Sequence, residues 1–493
     1  MLEQTLVIRV HPNDNVGVLT QPLDAGTHLP EFGIRLNDDI PAGHKVALQS
    51  ITQGELVVKY GFPIGNATDS ITAGDHVHSH NLKTALTGQE TYQYQASEPK
   101  ATQPSDATFM GYRRQSGKVG IRNEVWVINT VGCVNRTAER IAAECEKKFQ
   151  NVCDGFRAFT HPFGCSQLGD DLTDTRAILA ALASHPNAGA VLVVGLGCEN
   201  NQLSSMLELI DQPQARIRYF NSQEVIDEVD EGIALVESML TEMRKDTREP
   251  VPASELVLGM KCGGSDAFSG ITANPVVGRM TDLITQIEGS AILTETPEMF
   301  GAEQLLMNRA VDENTFSQIV DLVNAFKQYF IDHKQPVYEN PSPGNKAGGL
   351  TTLEEKSLGA VQKGGQATVN SVLQYGQPLH SKGLSLLQAP GNDAVSSTAL
   401  AASGAHIVLF TTGRGTPLGF PVPTIKISSN SRIAEQKPHW IDFNAGQILQ
   451  GMSIDDCAAQ LFQQCLDTAS GQLTCNEKNG SHEIAIWKRG VTL

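Results

Sequence analysis

Apolar and polar positions follow different periods in different stretches of this chain, and each period predicts a different kind of structure. Through residues 1–86, short apolar and β-branched runs at Leu6–Val10, Lys45–Leu48 and Glu55–Lys59 alternate with clusters of Asn, Asp, Gly and Pro. Such runs between turn residues, without a helical period, predict a small β-rich module. Residues 87–107, TGQETYQYQASEPKATQPSDA, are polar, include Pro99 and Pro104 and lack periodicity, which predicts a linker. From 108 to 250 the pattern becomes strand then helix. Strands are expected at Glu124–Val131, Phe156–Thr160, Ala190–Val194 and Arg216–Phe220, and helices at Arg136–Phe149, Asp171–Ala183, Leu203–Ile210 and Glu224–Met243. From 251 to 493 the alternation restarts, with strands at Leu256–Met260, Ser290–Leu293 and Ile407–Thr411, a helix at Asn314–His333 and a Gly-rich insert at 341–366. The predicted fold class is α/β: a small N-terminal β module followed by two α/β domains with largely parallel sheets.

Composition narrows the function classes. Asp and Glu number 54 against 37 Lys and Arg, a net charge of -17. An acidic chain without basic runs argues against nucleic acid and membrane as partners, though a few local cations suffice to bind a small anion. Nine Cys, an odd number without the spacing of a secreted scaffold, suggest reduced thiols. The start, MLEQTLVIRVHPNDN, has no basic stretch followed by an apolar one, so a cytoplasmic protein without a secretory leader is expected.

Four predicted strands run directly into a Gly/Cys loop: NTVGC at Cys133, HPFGC at Cys165, VGLGC at Cys198 and GMKC at Cys262. Ligands of open α/β sheets sit beyond the carboxyl ends of the strands, so parallel strands would present four thiols along one edge. His161 precedes one of these thiols and Glu199 follows another. The plainer alternative makes each Cys a small apolar side chain at a tight turn. A second cluster is GDHVHSHN, where His76, His78 and His80 share one face if the segment is extended, as a metal or polyol site would need. Its alternative is an exposed polar loop. Cationic loops add Arg122 in GYRRQSGKVGIRN, Arg414 in TTGRGTPLG, and Lys426 with Asn430 in PTIKISSN. Arg suits bidentate capture of a carboxylate. KCGGSDAFSG lacks the spacing of a phosphate loop, and neither a GxGxxG after a strand nor a GxSxG elbow occurs.

Taken in order, GDHVHSHN, GYRRQSGKVGIRN, NTVGC, HPFGCSQ, GLGCENNQ, KCGGSDAFSGITANP, PSPGNKAGGLTTLEEKSLGAVQKGG, LQAPGND and TTGRGTPLGFPVPTIKISSN make the chain resemble the altronate/galactarate dehydratase family from end to end. The resemblance implies a SAF-type β-clip module at the N-terminus and a hydro-lyase that removes water from a sugar acid. Its first reading is D-altronate to 2-dehydro-3-deoxy-D-gluconate in hexuronate breakdown, with galactarate as the alternative substrate. It also implies Fe(II) or another divalent ion such as Mn. One departure is Ala360, where relatives often carry Cys.

On this basis His161, His78 and Lys426 are the candidate catalytic residues, and Arg122, Arg414 and Asn430 the candidate substrate contacts. The metal candidates are His78, His80, Cys133, Cys165, Cys198, Glu199 and Cys262. A mononuclear ion is weighed against an iron–sulfur cluster held by three of the four loop thiols. Homo-oligomer formation is compatible with the sequence, and a non-catalytic carbohydrate-binding protein is the alternative from another class.

Overall fold

The computed structural model describes residues 5–86, 88, 91–98 and 101–493. Part of the start and, within the expected connection at 87–107, positions 87, 89–90 and 99–100 (Pro99 included) lie outside the described residues.

The N-terminal module is antiparallel. Val7–Ile8, Val16–Leu19, Lys45–Ala47 and His76–Val77 form one sheet, and Leu56–Lys59, Phe62–Ala67 and Leu82–Lys83 another. Its strands are short because turn glycines interrupt them. Gly74 has φ +94°, and a Cβ there would lie 2.0 Å from the carbonyl oxygen of Arg35, so no other residue fits this close approach.

The first α/β part has four parallel strands in the spatial order Phe156–Phe159, Glu124–Asn129, Ala188–Gly195, Ile217–Asn221. Alternation in the Glu124–Asn129 strand divides two cores. Val125 and Val127 pack with Ile141 and Val236 from helices Asn135–Lys148 and Glu228–Met243. Trp126 and Ile128 point the other way and join Ile178 and Leu182 of helix Gly169–Ala183. Each fully buried aliphatic side chain contributes about 1.5–3 kcal/mol. The expected helix from Glu224 starts at Glu228 instead, because the Asp227 carboxylate caps it by accepting from the N–H groups of Val229 and Asp230.

The second α/β part has seven parallel strands, ordered Val369–Leu373, Gly383–Leu387, Ser290–Leu293, Val257–Cys262, Ile407–Thr412, Thr424–Ser428, Phe443–Asn444. The chain builds outward from Val257–Cys262 on one side, then returns to build on the other. That reversal opens a crevice at the carboxyl ends of the central strands. The Gly-rich stretch at 341–366 carries helices Pro343–Ala347 and Leu353–Ala360, started by caps at Ser342 and Thr352. The strand Glu249–Pro252 runs across position 250 and pairs with Thr108–Arg113, tying the two α/β parts together.

The β module docks on the second part through buried charge. Lys45 Nζ and Lys59 Nζ lie 2.9 and 2.8 Å from the Glu355 carboxylate, all three side chains 0–1 % exposed. The described part of the connection is held too, with Tyr92 Oη donating to Glu303 at 2.6 Å and Tyr94 Oη to the Ala310 carbonyl at 2.8 Å. Among the described residues no helix is long and apolar enough to cross a membrane.

Candidate active site

The crevice at the carboxyl end of the seven-stranded sheet is a cavity of about 780 Å³. Four loops line it, each following a strand: Cys262–Gly264, Glu298, Pro390–Ala394 and Arg414–Gly415. Asn345 and Lys356, from the two helices within 341–366, close its side.

The floor is an unusual run of buried charge. Cys262 Sγ lies 3.0 Å from Glu298 Oε2 and 3.5 Å from Glu295 Oε2, and accepts from Lys363 Nζ at 2.9 Å. Lys356 Nζ is 2.7 Å from Glu298 Oε1. Lys261 Nζ pairs with Glu295 at 3.0 Å and with Asp393 at 2.7 Å. Burying this many charges is costly, and it is tolerated here because cations and anions alternate.

The pairing also fixes protonation. Burial would lift the Glu298 carboxyl, but Lys356 and Lys363 outweigh it and hold it down to about 2. Burial pulls on the ammonium groups of Lys261 and Lys356 as well, yet their carboxylate neighbours keep both above the usual lysine range. Burial, then Glu295 and Glu298, push the Cys262 thiol well up, so this sulfur carries its proton. Glu295 sits at φ +70° and is pushed up by burial against the pull of Lys261.

Ligand atoms of Cys262, Glu295 and Glu298 lie within 4.8 Å of one another, a group that could hold a metal ion. The donor set fits a first-row divalent ion, combining a sulfur with two carboxylates. Glu295 Oε1 is buried and has the Lys261 ammonium 3.0 Å away as its ion-pair partner.

The sequence candidates are dispersed around this cavity. Cys262 and Arg414 line it, and Arg414 Nη1 donates to the Gly344 carbonyl at 2.9 Å. Asn430 and Lys426 lie behind the Arg414 loop: Asn430 donates to Asp266 and Gly413, and Lys426 to the Thr416 carbonyl. Arg122 is sealed in a different place, donating to Glu477 and to the carbonyls of Ile121, Thr468 and Gln472.

The histidine cluster is not an extended strand. The strand ends at Val77, because the Asn81 side chain accepts from the His78 N–H and donates to the His76 carbonyl. The rings gather nonetheless, joined by His44, whose Nδ1 is 3.0 Å from His76 Nε2. His78 Nε2 contacts the Lys346 carbonyl at 3.0 Å, so this cluster backs the helix that carries Asn345, and His80 is exposed.

Nor do the four thiols share an edge. Cys133, Cys165 and Cys198 follow strands of the four-stranded sheet, whereas Cys262 ends a strand of the other. His161 and Glu199 go with the former. His161 is buried with Nε2 on the Asn129 carbonyl at 2.9 Å, and Glu199 accepts from Thr130 and from the N–H groups of Leu196 and Gly197. Sequence reasoning missed Glu295, Glu298, Lys261, Lys356, Lys363 and Asp393. The available signal was a charged residue within an otherwise apolar strand, Lys261 in LVLGMKC.

Three family models together span nearly the whole chain. They are the altronate/galactarate dehydratase SAF domain at residues 5–85, the D-galactarate dehydratase/altronate hydrolase second domain at 111–244, and the D-galactarate/altronate dehydratase C-terminal domain at 253–492. The chain is 50% identical to altronate dehydratase of Bacillus subtilis (strain 168) over 493 residues, covering 99% of each. It is likewise 50% identical to altronate dehydratase of Escherichia coli (strain K12), again over 99% of each. With galactarate dehydratase (L-threo-forming) of Escherichia coli (strain K12) it shares 35% identity over 97% of this chain and 96% of that one.

Proposed function

The chain belongs to the altronate/galactarate dehydratase family, and we propose that it is a hydro-lyase converting D-altronate to 2-dehydro-3-deoxy-D-gluconate and water. The observation that carries the reading is the alternating Lys, Glu and Cys floor of a cavity open to a small polyhydroxylated anion.

Dehydration removes a proton from C2, beside the carboxylate, and a hydroxide from C3. The Arg414 guanidinium, at the mouth, is suited to clamp the carboxylate. Asp393, partly exposed and held by Lys261, is the carboxylate placed to take the C2 proton. The enediolate that forms gains negative charge, which the Lys356 ammonium neutralises without having to reorganise. The Lys356 ammonium, beside the ionised Glu298, is then the donor of the proton that leaves with the C3 hydroxyl as water. The enol so released tautomerises to the 2-oxo acid, and the atoms balance as loss of one water.

Cys262, Glu295 and Glu298 are the residues that would hold Fe(II) or another divalent ion. When bound, such an ion would supply a Lewis acid toward carboxylate and hydroxyl oxygens. It would share these anions with Lys356 and Lys363. Nine free cysteines without a disulfide suit a reducing cytoplasm.

The test is a 2-oxo-acid assay on anaerobically purified protein with added Fe(II), comparing D-altronate, galactarate, D-mannonate and D-gluconate. Turnover of D-altronate alone is expected. Turnover of galactarate in its place would move the substrate assignment, and inactivity on all four would remove the reaction.

A further inference from the structure

The four-stranded sheet has its own reversal of strand order. Strand Glu124–Asn129 is flanked by the strands that follow it on opposite sides, which opens a crevice at its carboxyl end. Into that end run three loops, and each bears a cysteine: Cys133, Cys165 and Cys198.

The loops are joined backbone to backbone. Gly132 N–H donates to the Phe163 carbonyl at 2.8 Å, and Asn201 N–H to the Gly164 carbonyl at 3.0 Å. Ser166 N–H donates to the Asn200 side chain at 2.7 Å. Gly164, at φ +98°, is required there, since a Cβ would fall 2.2 Å from the Thr130 carbonyl oxygen. Residues within three positions of each cysteine therefore bond one another, which holds the three cysteine-bearing loops together over one strand end.

Their exposure sets them apart. Cysteine is among the most buried residue types. Of the nine here, Cys145, Cys262, Cys457 and Cys465 are buried and Cys153 and Cys475 intermediate, while Cys133, Cys165 and Cys198 are the exposed ones. A packing role does not explain three exposed thiols on three adjacent strands. Unpaired buried oxygens mark the same edge: Asn129 Oδ1 ends one strand, and Asn221 Oδ1 and Ser222 Oγ follow another, all without a hydrogen-bond partner.

We propose that this edge is a second metal centre, an iron–sulfur cluster site whose protein ligands are the thiolates of Cys133, Cys165 and Cys198. Thiolate is the ligand such clusters take, and three of them leave one iron of a four-iron cluster open to water or an oxygen ligand. A single tetrahedral ion bound at about 2.3 Å would need sulfurs about 3.8 Å apart. The only group of three ligands within 4.8 Å among the described residues is that of Cys262, so the exposed triad is too wide for one ion. The centre does not depend on the dehydratase reading, because it lies on the other sheet.

The full-length protein, kept anaerobic, would be incubated with sulfide and equal amounts of Fe(II) and Fe(III), the mixed valence of a four-iron cluster, and then desalted. About four irons and about four acid-labile sulfides per chain are expected, with the broad visible absorption of thiolate-to-iron charge transfer. Replacing Cys133, Cys165 or Cys198 singly by Ser should lower both counts and the absorption, without changing the melting temperature of the metal-free protein. C153S and C475S serve as controls and should load like the parent. Equal loading of C133S, C165S and C198S would overturn the proposal. So would acid-labile sulfide retained independently of these three cysteines, or no sulfide loading of the parent at all.

Discussion

The two parallel sheets solve the same topological problem and end in opposite chemistry. Each reverses its strand order beside a central strand, and each places cysteine at the carboxyl edge. In the seven-stranded sheet the single thiol, Cys262, is buried and surrounded by Lys363, Glu295 and Glu298. In the four-stranded sheet three thiols are exposed and their sulfur contacts are neutral, the Gln223 amide at Cys198 and the Ser166 hydroxyl at Cys165. A strand-end cysteine therefore says where a site is but not what it does. Burial and the charge of its neighbours decide whether the sulfur keeps its proton or serves as a ligand.

The largest effect should come from breaking one edge while sparing the other. Lys356→Met removes the cation assigned to the enediolate, and kcat should fall about 10³-fold. Iron and sulfide loading at the other edge should not change. Met also leaves Glu298 buried without its closest partner, so a fall in stability could be mistaken for the cause. The double variant E298Q/K356M separates the two, since it should regain melting temperature without regaining turnover. Turnover close to the parent's in K356M would take the cavity out of the mechanism.

How far the sequence reveals each edge follows from the same contrast. The strands were readable because Val125 to Ile128 and Ala190 to Val194 are β-branched and apolar, and both faces of their sheet are covered. The exposed thiols were readable because glycine precedes each and a strand precedes the glycine. The lysine–glutamate floor was not. Lys and Glu are ordinarily solvent-facing, so Lys356 in TTLEEKS and Glu298 in TETPEMF look like surface residues. Only tertiary pairing makes them otherwise, and the Glu295 backbone at φ +70° carries no glycine to announce it. The sequence also showed 341–366 only as a Gly-rich insert. Its glycines lie at the ends and contacts of two short helices, which Ser342 and Thr352 start.

A smaller effect tests why the β module belongs to one sheet alone. It docks through Glu355, which is shared by Lys45 and Lys59. Glu355→Gln would leave two buried ammonium groups facing each other, a loss of about 3 kcal/mol. Denaturant unfolding should show that loss. Turnover should fall with it, because the module's histidines back the helix carrying Asn345, while cluster loading should hold. An unchanged unfolding midpoint would mean that the module is held by its apolar contacts.

An effect of similar size, reached by pH alone, concerns the joint between the two regions. His185 belongs to the first α/β part and His406 to the second, and their rings meet edge to face with centroids 6.3 Å apart. His185 Nε2 lies 3.2 Å from the Ala405 carbonyl, and His406 Nδ1 accepts from the Val257 N–H. Burial, and for His185 the charge of His406, push the two down to about 3 and about 4 from an ordinary 6.5. Both are therefore neutral when folded, whereas the unfolded chain takes up protons below 6.5. The folded state binds fewer protons in that range, so stability falls as pH drops from 6.5 toward 4. At pH 5.5 each histidine should cost about 1.4 kcal/mol, roughly 3 kcal/mol for the pair. A urea midpoint compared at pH 7.5 and 5.5 would show it, and H406Q should flatten the dependence by removing one titrating group and the repulsion it exerts. A midpoint that holds across that interval would mean that the pair protonates without penalty, so that the two sheets are coupled through Trp126 and its apolar neighbours.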